Sequence, residues 1–374
     1  MHRTLAACLS IVIAALASTA VADPLTVVSE APITQQGATR FVVHSDRLGR
    51  DYEVTVQLPE AKVFLPGQKL AAIYALDGGY GLAGSNSVFL GGRAMMAPAI
   101  VVSLRLAPGQ PSSRNQDFTH HPFTVDGKTL GGGGAVFEAF LLQDLKPFIA
   151  AKYPADPASA VLFGHSLGGV FAANVFADNP NAFAGYIIGS VVVPRDPGLV
   201  DRIAKATARA HGQRVFLAVG GAEDSTVSEK RFMGQGFTAL TAAFKASPGV
   251  TLQAKSYAGE NHLSYYPNLM LDGFRFVLPP TVPVDLPYVP LSQSALAHYV
   301  GAYALPDGRT LTVKPGFDNL LAAQVDDQPS VYWLPNGTDR FYAFTGDLDV
   351  TFDPSGLTLT GRGAKVRAER KPAQ

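Results

Sequence analysis

The chain has 374 residues, 47% of them hydrophobic and 16% charged, with 30 basic residues balancing 30 acidic ones. That balance, without a basic stripe, argues against a nucleic-acid partner, and a chain this long and apolar can bury a large core. The only cysteine is Cys8, so the remainder of the chain has neither disulfides, thiol catalysis nor cysteine-ligated metals.

At the amino terminus, His2 and Arg3 precede an apolar, alanine-rich run from Leu5 to Ala20, and Ala20-Val21-Ala22 offers a small-residue cleavage site before Asp23. This is the layout of a secretory signal peptide. It is short for a spanning helix, which needs about 20 strongly apolar residues. Residues 1–22 are read as a signal removed near Ala22. The expected mature protein is exported, periplasmic or secreted, and has no stable membrane insertion.

Residues 23–280 alternate between strand-like and helix-like text. Arg50 to Leu58 alternates polar and apolar residues, as a half-exposed strand does. Leu70–Leu76, Ala99–Leu104, Ala160–Phe163, Tyr186–Ile188 and Val215–Val219 are short apolar runs of the kind buried on both faces of a parallel sheet. Helical patterns fall at about 135–151, 167–178, 199–210, 227–246 and 264–277. The alternation predicts an α/β domain, a mostly parallel sheet with helices on both faces. Segment 278–292 then carries five prolines, and 281–291 reads as a linker. Beyond it, residues 292–374 predict one short helix at 292–300 and about seven short strands between Leu311 and Arg370, a small antiparallel β-domain.

Gly164-His165-Ser166-Leu167-Gly168 matches the G-x-S-x-G nucleophile elbow, and it lies between a buried strand and a small-residue helix as that motif requires. Glycines two residues to either side of Ser166 avoid a collision across the turn, and Gly169 eases close helix–sheet contact. Leu167 then starts a helix with its N–H open to a developing oxyanion. A serine hydroxyl needs a base. The fold's order of serine, acid, histidine selects His262 in "GENHLS", which follows the strand-like run Thr251–Tyr257; His211 lies at a helix end and His298 beyond the linker. The acid belongs after "RVFLAV", where Glu223 and Asp224 are adjacent; one is expected at the His262 ring and the other in solvent or capping the next helix. The second oxyanion donor is Gly79, in the loop "YALDGGYG". That loop also contains a literal G-x-G-x-x-G at 79–84, but the following strand lacks the acidic residue a dinucleotide ribose needs.

Tyr80, Arg114 and His120 are candidate substrate contacts, the last two together with Asp117 and His121 in a long segment before the helix near 135. Gly131–Gly134 reads as a hinge. Tyr265, Tyr266 and Trp333 read as packing residues. No metal is expected, because no H-E-x-x-H exists and the adjacent His120-His121 pair is poorly disposed to share an ion. No cofactor is expected either.

Residues from about 38 to 279 resemble the putative-esterase (esterase D-like) branch of α/β-hydrolases. That branch includes trilactone siderophore esterases, feruloyl esterases, S-formylglutathione hydrolases and mycolyltransferases. The resemblance is carried by "YALDGG", "RNQDFT" at 114–119, "GGGGAVFEAFLLQDLKPFIAAKYP" at 131–154, "GHSLGG", "FLAVGGAED" and "GENH". It implies an α/β-hydrolase fold with Ser166 as nucleophile, His262 as base, and Gly79 and Leu167 as oxyanion donors. A Gly-x-x-Glu pattern as in the trilactone esterases maps to Gly220 and Glu223. The Gly-x-x-Asp pattern of feruloyl-esterase relatives maps to Gly221 and Asp224, and the resemblance leans to Glu223. The implied partner is a small-molecule ester, a siderophore lactone or another. Transfer of the acyl group to an alcohol, or a non-catalytic binding role on the same fold, are the alternatives. The C-terminal part resembles a small β-domain of unknown function appended to serine β-lactamase-like hydrolases, whose S-x-x-K is missing here. Its expected task is covering the active site, presenting substrate or stabilising the body.

Overall fold

The computed structural model describes residues 25–32, 37–59, 67–91, 95–224, 233–246, 248–280, 287–328, 330–344, 348–361 and 364–372. Residues 1–22, read from sequence as a signal, and 281–286, the first part of the expected linker, lie outside them, as does the side chain of Tyr80.

In chain order the strands of the body are β1 (Leu25–Pro32), β2 (Ala38–Ser45), β3 (Arg50–Gln57), β4 (Ala71–Ala75), β5 (Ala99–Leu106), β6 (Pro122–Val125), β7 (Lys128–Gly131), β8 (Val161–His165), β9 (Gly185–Gly189), β10 (Gln213–Gly220) and β11 (Val250–Tyr257). The main sheet runs β1-β2-β3-β5-β4-β8-β9-β10-β11. Each of its first four strands is antiparallel to its neighbour, and from β5 through β11 every neighbouring pair is parallel. β8 and β9 are buried at every residue, whereas β2 alternates. Continuous apolar runs therefore became central strands, whereas the alternating text of Arg50–Leu58 became β3, which lies between β2 and β5 and is mostly buried, not a half-exposed edge.

The body helices are α1 (Ala83–Gly91), α2 (Arg114–Phe118), α3 (Gly134–Ala139), α4 (Lys146–Lys152), α5 (Leu167–Asp178), α6 (Leu199–Thr207), α7 (Met233–Phe244) and α8 (Tyr266–Val277). Successive strand residues point to opposite faces, and two cores result. Tyr74, Leu162, Ile188 and Leu217 pack with α3–α7 on one face, and Ile73, Phe163, Ile187 and Phe216 pack with α1 and α8 on the other. No helix among the described residues is long and apolar enough to cross a membrane.

The helix expected at 135–151 is continuous, but Phe140–Leu145 widens into a π-helical turn between α3 and α4. Pro147, at the start of α4, lacks the N–H of a regular ladder and crowds the carbonyl four residues back, which the wider turn relieves. The segment before it holds a hairpin that the sequence reading passed over. β6 and β7 join through Asp126-Gly127, both at positive φ, the Asp-Gly signature of a two-residue hairpin. Gly131–Gly134 is no hinge. A Cβ on Gly131 would lie 2.0 Å from Thr119 Oγ1, one on Gly133 2.5 Å from Gln116, and one on Gly134 2.6 Å from His120. These glycines let two backbones touch.

Beyond the linker, α9 (Gln293–Leu296) leads into β12 (Gly301–Ala304), β13 (Thr310–Pro315), β14 (Leu321–Val325), β15 (Val331–Pro335), β16 (Arg340–Ala343), β17 (Asp349–Asp353), β18 (Gly356–Gly361) and β19 (Ala364–Arg370). They form a closed antiparallel barrel. The strand missed from sequence, β12, pairs with both β13 and β19 and so closes it. Closure removes exposed edges, and Tyr303, Trp333, Phe341 and Phe352 fill the interior. Ala364 of the barrel lines a cavity with Leu70, Ala71, Pro98, Ser159 and Leu278. The first four of these lie at the amino ends of β4, β5 and β8, the edge opposite the loops that carry the candidate site. That placement runs against the expectation of a cover over the active site.

Candidate active site

The candidate residues converge at the carboxyl ends of β4, β8, β9, β10 and β11. Adjacent β4 and β8 send their following connections in opposite directions, to β5 and to β9, and such a switch point opens a crevice in an α/β sheet.

Ser166 sits between β8 and α5 with φ 60° and ψ −120°, a conformation an L-residue holds only where its surroundings enforce it. Its N–H bonds the Gly189 carbonyl at 2.9 Å, tying the turn to β9. A Cβ on Gly164 would fall 2.0 Å from the Gly168 carbonyl oxygen, and one on Gly169 2.4 Å from that of Gly189. Gly168 differs from expectation: its own Cβ would meet nothing closer than 3.5 Å. The steric demand of the elbow falls on Gly164 and Gly169. Leu167 is the first residue of α5, where an N–H has no acceptor within the helix.

The two adjacent carboxylates separate cleanly. Glu223 is 1% exposed, and its Oε2 accepts from His262 Nδ1 at 2.8 Å. Its Oε1 accepts from the Gly220 N–H at 2.8 Å and from Ser190 Oγ at 2.5 Å. Asp224 is exposed and accepts from the N–H groups of Met233 and Gly234 at 2.6 and 2.8 Å. It is a cap on α7, the second of the two fates expected for this pair. A carboxylate only accepts, so His262 carries its proton on Nδ1 and its lone pair on Nε2.

The loop bearing His262 is wired before the ring is placed. Asn261 Oδ1 accepts from the N–H groups of Leu263 and Ser264, each at 2.9 Å, an Asx turn. Ala222 N–H bonds the Glu260 carbonyl and Gly221 N–H that of Tyr257. A Cβ on Gly220 would lie 2.6 Å from Glu260 O and 2.7 Å from Asn261 O. Glycine there lets the His262 loop pass close to Glu223. The His262 ring lies 4.6 Å from that of His165, the residue before Ser166. His165 is 2% exposed. Burial above all, then the charges of His262 and Arg114, pushes its pKa down to about 3, so it stays neutral beside His262.

Gly79, with φ 56°, lies in the turn Leu76–Gly81 that follows β4, and a Cβ there would lie 2.7 Å from that of Ala83. Asp77 in the same turn also has positive φ, at 56°. Arg114, expected as a substrate contact, instead grips Asp77 with Nε at 2.7 Å and Nη2 at 2.8 Å, a bidentate pair that fixes position as well as charge. Its Nη2 also reaches the carbonyl of His165 at 3.5 Å. One guanidinium thus joins the Gly79 loop to the elbow. In the same helix Asp117 is 2% exposed and takes hydrogen bonds from Arg50, Tyr52 and Ser113. Burial raises its pKa despite those donors. The stretch 114–119 is therefore a brace. His120 is likewise not available to substrate: its side chain is 4% exposed, bonded to Glu138 at 2.9 Å and packed on Phe171. With Asp178 it forms a His–Glu–Asp group whose ligand atoms lie within 4.8 Å of one another.

Two recesses flank Asp77. One, of about 420 Å³, is polar and lined by Glu53, Gly78, Gly81, Ser103 and Arg105; the other, of about 240 Å³, is bounded by Arg114, Phe118 and Phe137. Asp77, Ser190 and Asn261 were not singled out from sequence. The Asx-turn residue Asn261 was legible in principle; the other two gain meaning only from contacts distant in the chain.

A family model described as "Putative esterase" matches residues 45–277. Among curated proteins, the chain is 28% identical over 277 residues to the ferri-bacillibactin esterase BesA of Bacillus subtilis, covering 67% of this chain and 92% of that protein. Among solved structures, the BES protein from Bacillus cereus superposes with a TM-score of 0.57 at 24% identity, covering 68% of this chain and 99% of that one. The siderophore hydrolase EstA from Aspergillus nidulans gives 0.58 at 20% identity, over 66% and 96%. At these identities the two structures speak to fold alone.

Proposed function

The chain belongs to the putative esterase family, and from that premise we propose that it is an exported serine hydrolase of small-molecule carboxylic esters, working through an acyl-enzyme. One observation carries the mechanism: His262, bonded through Nδ1 to buried Glu223 at 2.8 Å, lies beside an elbow that holds Ser166 at positive φ. His262 Nε2 takes the Ser166 Oγ proton as Oγ attacks the ester carbonyl. The negative oxygen of the tetrahedral adduct faces the N–H groups of Gly79 and Leu167. The adduct collapses, the C–O bond to the alcohol breaks, and His262 returns the proton to the departing alkoxide. Water, deprotonated by the same nitrogen, then attacks the acyl-Ser166 ester, and the acid leaves with the serine restored. Glu223 keeps the imidazole in the required tautomer and offsets the positive charge it gains.

The similarity to BesA, named for ferri-bacillibactin, supports a siderophore lactone as the ester. Export rests on the signal-like residues 1–22. The test is hydrolysis of a p-nitrophenyl ester, then of a cyclic catecholate trilactone, by the mature protein and by Ser166→Ala. The expected loss is at least about 10⁴-fold in kcat. Activity that survives Ser166→Ala sinks the proposal, and turnover of the simple ester without the lactone sinks the substrate assignment alone.

A further inference from the structure

The mechanism uses one oxygen of Glu223; the other ends a chain of buried hydroxyls that it leaves unexplained. Ser190 follows β9, is 1% exposed and has φ 44°, a region that serine rarely enters unforced. Its Oγ is 2.5 Å from Glu223 Oε1 and 2.5 Å from the hydroxyl of Tyr265. Tyr265 is fully buried. The residue before Ser190 makes room for this contact: a Cβ on Gly189 would lie 2.9 Å from the Tyr265 hydroxyl and 2.4 Å from Leu269.

Proton counting gives the chain a direction. The carboxylate accepts only, so Ser190 donates to it and has no hydrogen left for Tyr265. Tyr265 must therefore donate to Ser190. Burial holds that phenol protonated by pushing its pKa well above the usual value. Tyr265 is also the last residue of the turn 262–265 that begins with His262. One carboxylate thus holds both ends of that turn, His262 directly through Oε2 and Tyr265 through Ser190 on Oε1. Three segments are joined at one point: the ends of β9 and β10, and the base loop.

We propose that Ser190 and Tyr265 are positioning residues for the Glu223–His262 pair. The Tyr265→Ser190→Glu223 hydroxyl chain orients the carboxylate and occupies its second oxygen, and through it sets the aim of His262 and how tightly its imidazolium is held. The inference rests on the serine-hydrolase reading, so its test includes a measurement that does not depend on activity. Removing a donor from Oε1 leaves Glu223 a stronger acceptor, which then holds the His262 imidazolium more tightly. In Ser190→Gly, which also relieves the backbone, and in Tyr265→Phe, which keeps the ring, the His262 titration followed by NMR should move to higher pH. The expected shift is about half a unit to one unit, larger for Ser190→Gly. The downfield His262 Nδ1–H resonance should move or broaden with it. In kinetics, kcat should fall roughly 10- to 100-fold in Ser190→Gly and about 3- to 10-fold in Tyr265→Phe, with KM within about twofold and the acid limb of kcat/KM displaced upward. An unchanged His262 titration and resonance in both variants overturns the inference, whatever the stability. An inactive wild type with a displaced titration overturns the hydrolase reading and leaves the positioning role standing.

Discussion

In the barrel, the non-glycine residues with positive φ are Asp318, Asn319, Asp326 and Asp339. All are of the short polar kind that tolerates left-handed backbone through local hydrogen bonds. Among the described residues of the body, positive φ falls on Ser166, Ser190 and Asp77, all at the candidate site, besides the hairpin turn at Asp126. Buried polar groups divide the same way. Among the described residues every buried polar or charged residue belongs to the body, Asp117, His165, Ser190, Glu223 and His262 included, while the barrel interior is apolar. Backbone strain and buried charge both destabilise a fold and survive only where surrounding contacts enforce them. The strained positions gather at one end of the sheet, the buried polar groups spread through the body, and both set the body apart from a barrel built for cohesion.

The sharpest way to break that contrast is inside the body. Glu223→Gln should lower kcat by roughly 10³- to 10⁴-fold by removing the acceptor that holds the His262 tautomer, whereas Asp224→Asn should stay within about threefold of wild type. Two equally mild effects in ester-hydrolysis assays would return the acid to an open question.

Trp333→Ala, deep in the barrel, should cost about 3–5 kcal/mol of barrel stability and leave kcat/KM within about twofold at temperatures where both modules are folded. Circular dichroism melts alongside kinetics check this, and a parallel collapse of kcat/KM would couple the regions.

Acid should act on the body through His165. Its folded pKa of about 3 lies below the ordinary 6.5, so the unfolded chain binds the proton first. The stability this neutral ring represents is complete above pH 6.5 and is lost as pH falls toward 3, on the order of a few kcal/mol. Urea titrations across that range should flatten in His165→Phe. An equal slope in the variant refutes the linkage.

Among the variants expected to lose function, Arg114 carries a smaller effect than Glu223. Arg114→Gln frees Asp77 and should lower kcat roughly 10- to 100-fold by displacing the Gly79 loop, with the melting temperature little altered. A rise in KM at constant kcat would show instead that Arg114 holds substrate.

Much of the fold was legible because the signals were local. Leu167–Asp178 matched residue for residue, since a helix opening on a glycine-flanked serine and closing before Asn179-Pro180 announces both ends. The central strands matched within a residue or two, because burial on both faces leaves an apolar run without polar interruption. β1, β2 and β12 escaped: the first two lie in the antiparallel flank of the sheet and the third in the barrel, and none carries such a run. Gly131–Gly134 misled because glycine marks both mobility and close approach, and only the neighbouring backbone tells them apart.

The sequence by itself determined the strand–turn–helix around Ser166 and the α/β layering, both carried by short runs of consecutive residues. The choice of Glu223 over Asp224, the grip of Arg114 on Asp77 and the reach of Tyr265 to Ser190 belong to the tertiary structure. Each joins side chains whose meeting depends on how separate loops are aimed, and aim is set by packing across the sheet, not by neighbours in the chain.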